Sequence, residues 1–362
     1  MEELRSILKM RNVPNVLKDQ NSTVIKDDKT WSSRIREIVE IFGSQVYGYS
    51  PPAPSKVSSK LVKEDKDAFA GKAVHSVIDL SFDTPRGEFS FPVNLVMPKA
   101  VSKTPLFLHI AFSPNVPDKY FPVEEIIDGG FAMASFYYED ITKDKDEFES
   151  GLAGMYSGAN RKPDEWGKIS MWAWSAQRVM DFIQTLEEVD KARIAVVGHS
   201  RLGKTALWCA AQDERFVMGI SNESGCSGAA ISRGKKGERI RDIVTTFPYW
   251  FCENYREYVD REDKMPFDQH FLISAIAPRY VYVSSAIGDE WADPESEFLS
   301  CVAASDVYEL FGAKGLVTED RLPEVGTKLH EGHIGYHLRG GTHYLSRYDW
   351  QGFMEFMRRK LY

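Results

Sequence analysis

The stretch "RIAVVGHSRLGKTALW" (residues 193–208) decides the fold. RIAVVG is a short apolar run, as expected of a strand buried on both faces, and a helix is predicted from about Leu202 to Gln212. The junction GHSRLGKT between them admits two readings. Literally, Gly198 to Thr205 matches G-x-x-x-x-G-K-[ST], the loop that wraps nucleotide phosphates in backbone N–H groups. Chemically, Ser200 stands on a sharp strand-to-helix turn, where a nucleophile is presented. Both readings need a strand before and a helix after, so the rest of the chain must choose.

Outward from the junction, strands alternate with helices. SVIDLSF and EFSFPVNLVMP, joined by DTPRG, read as an antiparallel hairpin. PLFLHIAF, FAMASFY, VMGISN, RYVYVSS and HIGYHLRGG read as further strands. TWSSRIREIVEIFGSQVYG, VEEIIDGG, SMWAWSAQRVMDFIQTLEEV, residues 296–312 and SRYDWQGFMEFMRRKLY carry helical patterns. Residues 1–29 are polar and read as loosely packed. Residues 138–165, charged and without periodicity, read as a long surface loop. This alternation predicts a mostly parallel α/β sheet covered on both faces. One domain (71–362) is expected, with a helical extension (1–70) packed on it and a substrate-shaping insertion near 226–268.

Composition narrows the function classes. A formal net charge of −8 over 362 residues argues against a nucleic-acid partner, because such affinity rests on neutralising phosphates. The four cysteines form no C-x-x-C pair, so neither a zinc ribbon nor a disulfide framework is expected. No stretch approaches the roughly 20 apolar residues of a membrane span. MEELRSILKMRN lacks an apolar signal region, which as written implies a cytoplasmic protein, or a secreted one if a leader has been removed. His330, His333 and His337 invite a metal reading, but on a strand His333 and His337 share a face and His330 opposes them. No metal, no cofactor and a monomeric state are therefore expected. His270 reads as a hydrogen-bonded core residue.

Order along the chain separates the two readings of the junction. A phosphate loop normally follows the first strand of its domain, and here several strands come earlier. A Walker-type site also needs an acid ending another apolar strand, and GISNES and VSSAIGDE do not run straight into an aspartate. An α/β-hydrolase needs a mid-chain nucleophile, an acid after a later strand and a histidine after the last one. Ser200, then Glu223 or Asp289, then His343 in GGTHYL meet that order. A serine hydroxyl needs a neutral imidazole to take its proton, and a carboxylate to fix that imidazole's tautomer. The oxyanion needs preorganised donors, each worth about 3 kcal/mol when deleted, and the Arg201 N–H is the first available.

The generic elbow G-x-S-x-G places its second glycine where this chain has Leu202, one residue before Gly203. In that respect GHSRLGKTALW resembles the G-C-S-R-x-G-K signature of the glucuronoyl esterases, carbohydrate esterase family fifteen. SNESGCSGAA, FPYWF, MPFDQH and GDEWADP are similar to that family's bacterial branch in order and spacing, and the resemblance covers about residues 30–360. It implies an α/β-hydrolase with Ser200 as nucleophile, His343 as base and the Arg201 guanidinium in the oxyanion hole. Lys204 would hydrogen-bond sugar hydroxyls, while Glu238 and Trp291 would hold the uronic-acid ring. The family has a glutamate at the position of Glu223, and bacterial members also have an aspartate at that of Asp289. Glu223 is preferred as the acid, with Asp289 as helper or substitute. His199 replaces the cysteine of fungal members, so the disulfide made there cannot form. The implied reaction is hydrolysis, through an acyl-enzyme, of glucuronic or 4-O-methylglucuronic esters such as link xylan to lignin. The partner would be a small-molecule or oligosaccharide uronate ester. An acetyl xylan esterase or general carboxylesterase would use the same triad, and a P-loop nucleotide-binding protein is the remaining alternative.

Overall fold

The computed structural model describes residues 2–99, 103–157 and 161–362. Ten strands form one mixed sheet: β1 (Ser58–Ala68), β2 (Ala73–Thr84), β3 (Gly87–Pro98), β4 (Thr104–Ala111), β5 (Ala132–Tyr137), β6 (Val189–His199), β7 (Met218–Asn222), β8 (Tyr280–Ala286), β9 (Lys328–Leu329) and β10 (Ile334–Arg339). Their order is β1-β2-β3-β5-β4-β6-β7-β8-β10-β9. The run from β5 to β10 is parallel, whereas β1, β2, β3 and β9 pair antiparallel with their neighbours. The predicted hairpin is β2–β3, closing at Thr84 opposite Gly87.

The helices are α1 (Glu2–Met10), α2 (Asp28–Phe42), α3 (Val123–Asp128), α4 (Tyr138–Ile141), α5 (Gly151–Tyr156), α6 (Lys168–Ile183), α7 (Arg201–Gln212), α8 (Ile240–Thr246), α9 (His270–Ser274), α10 (Pro294–Glu309) and α11 (Arg347–Leu361). Successive side chains of β4 show why the parallel strands are apolar throughout. Leu106, Leu108 and Ile110 join a core with α2, α6, α7 and α10, whereas Phe107 joins a second core with α3 and α11 on the opposite face. No helix among the described residues is long and apolar enough to cross a membrane.

Three sequence expectations need correction. Residues 2–29 are not loose. Leu4 and Val16 are buried, the Glu3 and Leu4 N–H groups donate to Asp320, and Arg11 binds Glu295 and Ser296 on α10. One buried leucine in a nine-residue polar helix is too little apolar signal to read in advance. The stretch 138–165, of which 158–160 lie outside the described residues, is not a plain surface loop: α4 and α5 bury Tyr138, Ile141, Leu152 and Ala153. Both helices are too short to display a 3.6-residue period. Finally, only His337 of the three grouped histidines lies on β10. The chain turns before the strand, so strand parity does not hold, and His330 and His337 both meet the Tyr282 hydroxyl, at 2.6 and 2.9 Å. His333 instead contacts the Pro278 carbonyl. His270 does sit in the core, against the Pro14 carbonyl at 2.9 Å.

Candidate active site

Ser200 is the turn between β6 and α7, with φ 57° and ψ −127°. A non-glycine residue there carries strain of about 1–3 kcal/mol, tolerated only when its surroundings impose it. They do so by hydrogen bonds: the Ser200 N–H donates to the Asn222 carbonyl at 2.9 Å, and its carbonyl accepts from the Gly203 N–H at 2.9 Å. Steric exclusion completes the constraint. A Cβ on Gly198 would lie 2.0 Å from the Leu202 carbonyl oxygen, and one on Gly203 would lie 3.1 Å from Ser221 and Ser224. The second glycine therefore falls at 203 because it is this residue that faces the end of β7.

His343 lies on the loop after β10 and meets both candidate acids. Its Nδ1 is 2.6 Å from Asp289 Oδ2 and 3.4 Å from Glu223 Oε2. The sequence preference for Glu223 is thus not what the hydrogen bonding favours, since the shorter contact is to Asp289. The Glu223 carboxylate is occupied elsewhere, accepting from Arg339 Nη2 and, at 2.9 Å, from the Tyr344 N–H. Burial raises Glu223 to about 7, against the pull of His343 and Arg339. Asp289, which burial alone would raise, is held below the usual carboxylate range by its hydrogen bond to His343. Burial would lower His343, but the two carboxylates outweigh it and lift the imidazole to about 9. Among the described residues, these three groups have the one spacing that could hold a metal ion, with ligand atoms within 4.8 Å of one another. Their atoms are engaged with each other, with Arg339 and with backbone N–H.

His199, beside Ser200, turns its Nδ1 to Asn222 Oδ1 at 2.6 Å. Burial pushes it down to about 3, so it stands neutral against His343, ring centroids 4.5 Å apart.

Ser200, Arg201 and His343 lie where two cavities meet. One, of about 310 Å³, is also lined by Lys204, Glu238, Trp291, Phe247 and Trp250. The other, of about 550 Å³, is lined by Phe112, Lys119, Tyr120, Tyr138 and His199 among others. All the sequence-predicted site residues are therefore gathered around one serine. Trp291 is 57 % exposed and so is no core residue. Lys204 is buried, and its Nζ donates to the Ser224 carbonyl. With its Nζ engaged by the Ser224 carbonyl just past β7, the lysine does not suit the phosphate reading, in which it reaches over the loop to the nucleotide. Sequence reasoning missed the aromatic walls Phe112, Tyr120, Tyr138, Phe247 and Trp250. FPYWF marked the last two without assigning them a role. It also missed Asp144, which forms an ion pair with Arg201. Nothing in the charged run EDITKDKDEFES singles that aspartate out.

This chain resembles known proteins in sequence and in fold. A family model described as glucuronyl esterase of fungi matches residues 82–312. A carbohydrate esterase from an unknown prokaryotic organism is 33 % identical over 95 % of this chain and 88 % of its own length. The glucuronoyl esterase structure from Solibacter usitatus superposes with a TM-score of 0.90 at 36 % identity, covering 97 % of this chain and 98 % of that one. The 4-O-methyl-glucuronoyl methylesterase of Podospora anserina is 26 % identical over 83 % of this chain and 60 % of its own length.

Proposed function

Because this chain belongs to the glucuronoyl esterase family, we propose that it hydrolyses esters of glucuronic or 4-O-methylglucuronic acid at Ser200. The reading is carried by one observation: the His343–Asp289 pair and the strained serine meet beside a cavity lined by Lys204, Glu238 and Trp291. With Nδ1 committed to Asp289, Nε2 is the nitrogen left to take the Ser200 proton. Attack on the ester carbonyl then builds an oxyanion at the N-terminus of α7, where the Arg201 N–H and guanidinium serve as its donors. Collapse expels the alcohol, protonated by His343, and leaves a uronoyl ester on Ser200. Water activated by the same imidazole releases the acid.

The cavity with Lys204, Glu238 and Trp291 suits the uronic ring, offering a cation, a carboxylate and an indole face to a polar sugar. The larger aromatic cavity then receives the alcohol.

The test compares kcat/KM for methyl or benzyl glucuronate, the galacturonate epimer and an acetylated sugar, with Ser200→Ala as the control. Glucuronate ester cleavage that vanishes in the variant is expected. Preference for the acetyl ester would move the protein to the general carboxylesterases, and turnover by the alanine variant would overturn the mechanism.

A further inference from the structure

Arg201 is the first residue of α7, and its guanidinium does not project freely into the cavities. It pairs through Nη1 with Asp144, from the segment between α4 and α5. Phe112, Phe247 and Trp250 surround it, with ring centroids 5.5, 5.6 and 4.7 Å from the guanidinium carbon. Among the described residues none accepts from Nη2, and the buried Nε has no partner. The fork is thus held at one corner.

The carboxylate that holds it is itself fixed. Asp144 Oδ1 accepts from Trp250 Nε1 at 2.7 Å, and Oδ2 accepts from the Tyr138 hydroxyl at 3.2 Å. The Asp144 carbonyl accepts from the Tyr249 hydroxyl at 3.1 Å. Behind the segment, Lys168 Nζ donates to Thr142 Oγ1 at 2.7 Å and to the Glu147 carbonyl at 2.5 Å, clamping it on either side of Asp144. None of these contacts involves Arg201, so the position of Asp144 is set by groups other than the arginine it holds. A guanidinium has several staggered rotamers along its stem, and an oxyanion donor contributes fully only when its direction is set beforehand.

We propose that Asp144 is the positioning residue that aims the Arg201 guanidinium at the developing oxyanion on Ser200, an inference that rests on the esterase reading above. It does not touch the reacting atoms. Its work is to remove rotamers of Arg201 that point away from the ester and to balance the arginine's charge between turnovers.

The test is a double-mutant cycle of Asp144→Asn and Arg201→Ala, read as kcat and KM on methyl glucuronate and as the rate at which a p-nitrophenyl phosphonate labels Ser200. Asparagine keeps the size and the acceptor for Trp250 but removes the charge. Asp144→Asn should lower kcat and the labelling rate by about 10- to 100-fold, with KM changed less than about twofold. Both losses should disappear when Arg201 is already alanine. An unchanged kcat, or an equal loss in the Arg201→Ala background, would overturn the inference. Tyr138→Phe, which deletes only the hydroxyl donor to Oδ2, should give a smaller loss in the same direction; it carries the test if Asp144→Asn does not fold. If the wild type labels with phosphonate but cleaves no glucuronate ester, the substrate reading fails, and the cycle on the labelling rate still judges Asp144.

Discussion

Asp289 Oδ2 stands 2.6 Å from His343 Nδ1, while the competing Glu223 oxygen is 3.4 Å away and engaged by Arg339 and the Tyr344 N–H. Two carboxylates thus share one imidazole nitrogen but differ in what else they hold. Asp289 is committed to His343. Glu223 also ties the loop that carries His343 to the sheet.

This division separates their substitutions. Asp289→Asn presents an amide donor where an acceptor is needed and should lower kcat by about 10²–10⁴-fold with little loss of stability. Glu223→Gln should lower kcat less but cost about 1–3 kcal/mol in denaturant unfolding, because a buried charge-assisted bond to Arg339 is weakened. Equal kinetic losses with unchanged stability would contradict the assignment.

The pH profile follows from the same pair. His343, lifted to about 9 by its two carboxylates, must be neutral to act, so kcat/KM should rise with pH on a limb that it controls. Removing the Asp289 charge lowers the imidazole pKa, so in Asp289→Asn that limb should move to lower pH. The linked stability has a definite sign: a raised folded-state pKa stabilises below the unfolded value of about 6.5, and this contribution is lost as pH rises through about 9. A limb that moves to higher pH in the variant would rule out His343 as its source.

Strain at Ser200 gives a third outcome. With φ 57° at Ser200, glycine adopts the turn without the Cβ penalty. Ser200→Gly should abolish hydrolysis, by roughly 10⁴-fold or more, while raising stability by about 1 kcal/mol or more. A lower melting temperature would mean that the serine side chain stabilises the turn. Gly198→Ala, whose Cβ would meet the Leu202 carbonyl at 2.0 Å, should instead be strongly destabilising.

Arg339 donates through Nε to both Asp349 oxygens at 3.0 Å, and through its amino groups to Glu223 and to the Gly340, Thr342 and Tyr344 carbonyls. Arg339→Met leaves two buried carboxylates without their cation and should cost about 3–5 kcal/mol. A loss below about 1 kcal/mol in urea unfolding would show that the loop is held by other means.

Trp291, more than half exposed, tests the sugar site at little structural risk. Trp291→Ala should change stability by less than about 1 kcal/mol and raise KM for a glucuronate ester without altering hydrolysis of p-nitrophenyl acetate. Equal effects on both substrates would remove the indole from uronate recognition.

What could be read in advance follows from what each element needs. The parallel strands bury both faces, so β4 and β6 announce themselves as apolar runs, and the proposed triad follows because each member sits at the end of such a run. Glu223, Asp289 and His343 are one to four residues past β7, β8 and β10. The choice between the acids was not legible, since it depends on where Arg339 and the Tyr344 N–H point, and those are tertiary facts. Asp144 was hidden for another reason: its neighbours Asp140 and Asp146 look the same in sequence, and only the clamp by Lys168 and Trp250 distinguishes it. Strand β1 was invisible because residues 58–67 are all exposed, and its two apolar residues there, Leu61 and Val62, are adjacent and so set up no alternation.

That strand closes one border of the sheet, and its composition has a consequence for how molecules meet at high concentration. Lys60, Lys63, Glu64, Asp65, Lys66 and Asp67 line an unpaired rim whose backbone groups would otherwise be a template for a neighbouring chain. A second molecule adding a strand there would have to strip water from a row of ions of both signs. At the opposite border β9 is only two residues long, too short to seed an extended ladder. A sheet of ten strands is thus guarded at both rims against lateral growth, one by charge and the other by brevity.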